Sequence, residues 1–338
     1  MPLRVDEKSI EELIGSFAGK RIAVVGDLML DRYFWGSVRR ISPEAPVPVV
    51  EVETESTRFG GAANVALNIR SLGAEPVLVG LVGNDHAGET LFAMMRDAGL
   101  DTSGVIVDGS RQTTIKTRVI AHGQHVVRID NESRLQCPEP LLPRLLDAVR
   151  SKIHTLDGIL LEDYNKGVVH RALIAEILAL ARNHGRIVTV DPKFENFLEY
   201  KGVTVFKPNR REAEEVLGGR LRTQADHEQA GRRLLELLGA ENVLLTRGED
   251  GLSLFQRDGE ILHLSSAADH VEDVSGAGDT VISTLTVALA AGLPVRDACV
   301  LANCAAGIVV GSVGIVPVGP EELKQAALRW SRRRGGEV

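Results

Sequence analysis

Short apolar runs bounded by glycine recur along this chain, with helical patterns between them. Arg21-Ile22-Ala23-Val24-Val25-Gly26 is apolar at consecutive positions, as a strand buried on both faces requires. Similar runs predict strands at 76–81, 158–161, 187–190, 203–206 and 243–246. Apolar residues at helical spacing predict helices over 61–72, 87–98, 168–183 and 228–238, with Gly73, Gly99 and Gly239 as stop signals. Strand and helix in alternation predict an α/β fold: a central, mostly parallel sheet flanked by helices.

Two regions break the alternation. Residues 31–52 hold aromatics, three prolines (Pro43, Pro46, Pro48) and a strand-like stretch at 47–52. Residues 113–120 and 124–130 alternate around His122-Gly123, a hairpin signal. Together they predict a small β-sheet outside the main layer, with lid segments at about 31–53 and 112–130. A lid is favoured over an edge extension because the insertion follows the C-terminal end of the first strand, where α/β proteins bind ligands. Further on, 281–293 reads as a buried helix, 298–310 as an Ala-rich packed helix and 320–333 as an amphipathic one. The arginines at 329 and 332–334 read as a solvated helix end.

Composition narrows the picture. The chain has 338 residues, 44% hydrophobic, with net charge −7, enough for one sizeable domain over 1–338. The acidic balance argues against a nucleic-acid partner. Cys137, Cys299 and Cys304 form neither a disulfide framework nor a metal knuckle. Residues 1–20 lack a signal-peptide core, and no apolar run is long enough for a bilayer, so the expectation is a cytoplasmic protein without a membrane partner.

The candidate chemistry is concentrated in a few segments. In Asp273-Val274-Ser275-Gly276-Ala277-Gly278-Asp279-Thr280, small residues precede the buried helix, so the Gly276, Ala277 and Gly278 amides sit at a helix N-terminus that attracts anions. Asp279 adds a carboxylate to that edge. A base for an alcohol beside donors for developing charge is what phosphoryl transfer to a hydroxyl needs, although Asp279 can also be read as a helix cap. Gly60-Gly61 lets a polyol approach the backbone, and Asn64 offers a donor and an acceptor; the alternative is a glycine turn. Asp31 leads into the lid and suits sugar hydroxyls, whereas Asp27 reads rather as a loop cap. Asn209 and Glu212 share a helix face, as a water-mediated Mg²⁺ site, a capping box or both. Thr246 and Gly248 end a strand where ATP phosphates or ribose can lie. Lys116, Arg118, Arg128, Lys166 and Lys193 are cations able to receive an anionic substrate or to pair with neighbouring carboxylates. The histidines have no metal-ligand spacing.

Gly60-Gly61 with Asn64, Asn209-x-x-Glu212 and Asp273-x-x-Gly276-Ala277-Gly278-Asp279, in this order, resemble the ribokinase-like carbohydrate kinases over about residues 21–317. The resemblance implies ATP, Mg²⁺ and transfer of the γ-phosphoryl group to a sugar hydroxyl. It implies Asp279 as base, Gly276 to Gly278 as anion hole, Asp31, Gly60, Gly61 and Asn64 at the sugar, Asn209 and Glu212 at the metal and Asn303 near the adenine. It also allows a monovalent cation near Asp273 and 312–314. Ser275 stands where threonine is more usual and keeps the hydroxyl. A narrower resemblance, to the D-glycero-β-D-manno-heptose-7-phosphate kinases of ADP-heptose synthesis, is carried by three stretches. These are 26–33 with 40–49, Asp163-Tyr164-x-Lys166-Gly167, and Asp191-Pro192-Lys193. It implies Asp163, Lys166 and Lys193 in the substrate pocket, with Lys116, Arg118, Lys166 and Lys193 as candidates for the existing phosphate. Glu162 stands where a smaller residue is more usual. Such enzymes are often fused to a cytidylyltransferase-like domain; no H-x-G-H signature is found here, so the expected activity is the kinase step alone. A lid with open strand edges also predicts a homodimer.

Overall fold

The computed structural model describes residues 7–312, 314 and 316–335. After a short helix α1 (Glu7–Gly15), the chain forms β1 (Arg21–Gly26), β2 (Leu28–Ile41), β3 (Pro48–Gly61), α2 (Ala62–Ser71), β4 (Glu75–Gly83), α3 (His86–Asp97) and β5 (Asp101–Asp108). The hairpin β6 (Thr114–Ala121) and β7 (Gln124–Asn131) follows, then α4 (Leu142–Arg150), β8 (Gly158–Glu162), α5 (Arg171–Asn183), β9 (Ile187–Asp191) and β10 (Val205–Phe206). The last part holds α6 (Arg210–Leu217), α7 (Gln224–Leu238), β11 (Asn242–Thr246), β12 (Leu252–Gln256), β13 (Ile261–Leu264), α8 (Ala277–Ala290), α9 (Val295–Val310) and α10 (Pro320–Gly335).

Nine strands make the main sheet, in the order β13-β12-β11-β10-β9-β8-β1-β4-β5. Pairing is parallel from β11 to β5, and β12 and β13 are antiparallel. The uninterrupted apolar runs are explained by cover on both faces. Ile22, Val24, Leu160 and Leu244 face a core shared with α2, α8 and α9. Their neighbours Ala23, Val25, Ile159, Leu161, Val243 and Leu245 face a second core with α4, α5 and α7.

The second sheet has the order β3-β2-β6-β7. Its hairpin turns at His122-Gly123, both at positive φ (51° and 76°), as expected from sequence. The expected strand at 47–52 is only part of β3, which like β2 is 14 residues long. Its polar middle, Glu53 to Ser56, carries no apolar signal: Thr54, Glu55 and Ser56 pair with β2 beside a bulge at Glu53, and the side chains of Glu53 to Glu55 are exposed. β5, β12, β13 and α4 were not anticipated either. The helix expected at 168 begins at Arg171; Val168 and Val169 are buried but belong to the preceding loop. Among the described residues, no helix is long and apolar enough to cross a membrane.

Candidate active site

Parallel strands end together, so β1, β8, β9, β10 and β11 deliver their following residues to one edge of the sheet. The N-termini of α2 and α8 meet the same edge. Gly276, in the left-handed region at φ 77°, starts α8, and no side chain caps that helix. Ala277 N donates to the Val274 carbonyl at 3.3 Å, and the next N–H groups of the first turn form an anion-accepting end. Asp279 in this turn is buried. Its Oδ2 accepts from Asn64 Nδ2 at 2.6 Å, and its Oδ1 accepts from the Tyr164 hydroxyl at 3.0 Å. Burial pushes its carboxyl up to about 6; Asp191 adds to the rise, while the Asn64 and Tyr164 hydrogen bonds and Lys207 oppose it. Asn68, one turn beyond Asn64, donates to the Asn64 carbonyl at 2.9 Å and steadies this arrangement.

Beside Asp279 lies a buried network of carboxylates and ammonium groups. Glu162, Asp191 and Asp279 each bring an oxygen within 4.8 Å of the others. Lys207 binds Asp191 at 2.7 Å, and Lys193 contacts Glu212. Glu162 is fully buried, and neither carboxylate oxygen has a hydrogen-bond partner among the described residues. Burial, reinforced by Asp191 and Asp279, drives its carboxyl well above the usual range. Burial disfavours the Lys193 and Lys207 charges, but Asp191 and Glu212 outweigh it and raise both. The donor set, all oxygen with an orphaned carboxylate, suits a hard cation such as Mg²⁺. Asn209 and Glu212 form a reciprocal capping box at α6: Asn209 Oδ1 accepts from Glu212 N at 2.9 Å, and Glu212 Oε2 accepts from Asn209 N at 2.8 Å. With Lys193 on its other oxygen, Glu212 has little room for a direct metal bond, and a hydrated ion suits it better.

On the other side of Asp279 are the two glycines. A Cβ on Gly60 would lie 2.5 Å from Asp31 Oδ2, and one on Gly61 (φ 55°) would lie 2.4 Å from the Asp27 carbonyl oxygen. Only glycine lets the end of β3 pass so close to the end of β1. Asp31, on β2, is buried and ion-paired with Arg118 of β6. Lys116, two residues earlier on β6, has its Nζ 4.8 Å from the centre of the Tyr164 ring, and burial lowers its ammonium. Lys166 pairs with Glu132 at 2.5 Å, and Arg128 with Asp130 at 2.9 Å on the surface.

The loop carrying Tyr164 is built by buried carboxylates. Asp27 accepts the backbone N–H groups of Tyr164, Lys166 and Val168 at 2.8, 3.0 and 3.1 Å. Asp163 accepts from Asn165 N, Asn196 Nδ2 and the Tyr200 hydroxyl at 2.8, 3.0 and 2.7 Å. Fully buried, it spends its oxygens on the protein. Arg111, paired with Asp108 at 2.8 Å, clamps the same loop through the Lys166 and Leu135 carbonyls.

Thr246 ends β11 and bridges to Asn209, so the strand end and the capping box adjoin. Gly248 follows at φ 65°. Asn303, buried on α9, donates to the Ser265 carbonyl at 2.8 Å and holds the segment that leads to α8. Asp273 accepts from Ser275 N at 2.9 Å and Gly314 N at 3.0 Å, which ties the α8 approach to the turn after α9. Of the stretch 312–314 named for a monovalent cation, Val313 lies outside the described residues.

The sequence reading gave no role to Tyr164, Asp191 or Lys207. Tyr164 and Asp191 stood inside quoted motifs, but neither pattern marks a side chain as facing Asp279. Lys207 follows a strand end and precedes Pro208-Asn209, a usable signal for a pocket residue.

The nine-stranded sheet with its small companion sheet is the ribokinase-like fold. Ribokinase of Arabidopsis thaliana, complexed with ribose and ATP, has a similar structure (TM-score 0.72, 20% identity, 93% of this chain and 99% of that one). So does phosphofructokinase-2 of Escherichia coli in complex with substrates and products (TM-score 0.76, 17% identity, 93% and 100%). A match to a carbohydrate-kinase family model adds the class, that of sugar kinases, phosphotransferases with an alcohol acceptor. Residues 20–320 match the model of the pfkB family carbohydrate kinases, and the chain belongs to that family. It is 43% identical to bifunctional protein HldE of Desulfatibacillum aliphaticivorans over 92% of its length, and to that of Geobacter sulfurreducens over 94%. It covers 64% and 65% of those two relatives.

Proposed function

We propose that this chain transfers the γ-phosphoryl group of ATP to the anomeric hydroxyl of D-glycero-β-D-manno-heptose 7-phosphate, giving the 1,7-bisphosphate in ADP-heptose synthesis. The observation that carries the reaction type is Asp279: a buried carboxylate in the first turn of an uncapped helix, held on both oxygens by Asn64 and Tyr164. In this reading Asp279 takes the proton from O1 as the phosphoryl group arrives in line. The Gly276, Ala277 and Gly278 amides receive the developing charge. Asp31, Gly60, Gly61 and Asn64 line the sugar. In this reading Lys116 receives the 7-phosphate with Lys166 and Lys193, which now pair with Glu132 and Glu212, and Arg118 orients Asp31. Thr246, Gly248 and Asn303 serve the nucleotide. Mg²⁺, when bound, neutralises phosphate charge; Asn209 and Glu212 would hold it through water, with the Glu162–Asp191 edge nearby. The β3-β2-β6-β7 sheet acts as a lid that excludes water. Asp163, placed with the substrate on the motif, supports the reading indirectly by holding the Tyr164 loop.

The sugar itself rests on the likeness of 40–49, 163–167 and 191–193 to heptose-7-phosphate kinases and on the HldE relatives. ATP turnover with heptose 7-phosphate beside fructose, ribose and hexose phosphates, with ³¹P NMR of the product, tests it. The expected product carries a new anomeric phosphate. Preference for another sugar of the panel would keep the kinase and replace the substrate.

A further inference from the structure

Tyr164 touches both the proposed base and two of the proposed phosphate-binding cations. Its hydroxyl donates to Asp279 Oδ1 at 3.0 Å. Its ring lies 4.8 Å from Lys116 Nζ and 5.1 Å from Lys193 Nζ, within the range of cation–π attraction. These partners come from three places: the second sheet (β6), the end of β9 and the first turn of α8. Lys116 has no ion pair within 4 Å among the described residues; Asp31 and Asp130 favour its charge from farther off, and the Tyr164 ring lies directly against it.

The ring is not placed by chance packing. Tyr164 N donates to Asp27 at 2.8 Å, and the next residue, Asn165, is held in the left-handed region at φ 54°. Gly167 at φ 86° allows an approach in which a Cβ would lie 2.1 Å from the Leu135 carbonyl oxygen. A non-glycine residue at positive φ costs energy and persists where its surroundings over-determine it. Here the buried carboxylates of Asp27 and Asp163, with the Arg111 clamp, impose it. Burial, then Asp279, hold the phenol well above its usual pKa, so it stays a donor.

We propose that Tyr164 is a positioning residue that links recognition of the substrate's phosphate to the base. Its ring gathers Lys116 and Lys193 into an anion-binding pair, and its hydroxyl orients Asp279. The link crosses from the second sheet to the main sheet, so an anion that draws Lys116 inward also fixes the lid against the base. The inference rests on Asp279 as base and on a phosphorylated sugar as substrate, and it adds a selectivity for phosphorylated over unphosphorylated sugars that passes through one ring.

Ring and hydroxyl can be separated. Tyr164→Phe keeps the aromatic face and loses the hydrogen bond. It is expected to lower kcat about tenfold, the loss of one such bond, and to leave KM for the sugar phosphate within about twofold. Tyr164→Leu loses both, and should also raise KM for the sugar phosphate about tenfold, with KM for ATP unchanged. In an Asp279→Asn background, Tyr164→Phe should change kcat no further. A Phe variant with wild-type kcat, or one that loses kcat and KM together as the Leu variant does, would overturn the proposal. So would additivity with Asp279→Asn. If the Leu variant does not fold, the Phe variant and the double mutant still decide. Full turnover by Asp279→Asn alone would instead remove the base assignment. Wild-type turnover of a different sugar phosphate would replace heptose while leaving the Tyr164 comparison intact on that substrate.

Discussion

Asn64 and Asp279 stand 215 positions apart and meet at 2.6 Å, amide to carboxylate, where the N-termini of α2 and α8 converge. Asn64 is fully buried and donates to Asp279 from its side-chain amide. The contact joins the half of the site that faces the sugar to the half that faces the phosphoryl group. Asn64→Ala should lower kcat about tenfold and destabilise the fold by about 1–3 kcal/mol, because a buried acceptor loses its donor. Steady-state kinetics and urea unfolding of the purified variant check both; unchanged kcat would separate the contact from the chemistry.

Asp279→Asn should lower kcat by about 10²-fold or more while binding of the sugar phosphate persists. The wild-type profile should show an acid limb. Burial lifts the Asp279 carboxyl to about 6; below that pH it is protonated and cannot take a proton, so kcat falls as pH drops and levels off above about 7. Glu162, a buried carboxyl also raised and facing Asp279, shares the site, so the limb belongs to the two carboxyls together. A kcat that is flat down to pH of about 5 would contradict the assignment.

Gly61→Ala places a methyl group 2.4 Å from the Asp27 carbonyl oxygen in a backbone at φ 55°. The expected cost is about 1–3 kcal/mol, with a raised KM for the sugar as the end of β3 shifts. The midpoint of chemical unfolding reads the first and kinetics the second. A silent substitution would mean that this approach relaxes freely.

Arg111→Ala leaves Asp108 buried without its partner and frees the Lys166 and Leu135 carbonyls. A loss of about 3 kcal/mol or more is expected. Hydrogen exchange should rise around 163–168, since the clamp on that loop is gone. Faster exchange confined to β5 would place the clamp's role elsewhere.

The second sheet ends in two open edges, β3 and β7, and exposes Ile41, Val52, Val127 and Ile129. Such a surface favours self-association. Light scattering should give a mass of about twice 36.5 kDa. Val127→Lys with Ile129→Lys should then return a monomer, and a monomeric wild-type chain would remove the expectation.

The centre of the main sheet was legible because a strand covered on both faces needs consecutive apolar residues, and Ile22–Val25, Ile159–Leu161 and Val243–Leu245 supply them; β5, with its polar start, did not. The start of α8 was legible because a glycine before a buried helix marks a turn, and Gly276 takes a left-handed φ of 77° there. The polar strand middle at Glu53 to Ser56 was not, because backbone pairing with β2 leaves no mark on side-chain polarity.

Cations and carboxylates show the same division. The sequence by itself supplied Asp279, Asn64, Lys116 and Lys193, and the order of motifs placed them in one family of sites. It did not say which charge would meet which. Arg118 pairs with Asp31, Lys166 with Glu132 and Lys193 with Glu212, while Tyr164 reaches Asp279 across 115 positions. A local pattern reports which residues share a strand or a helical face. Electrostatic and hydrogen-bond partners are chosen by distance in space, which only the packed arrangement of β6, β8, β9 and α8 decides.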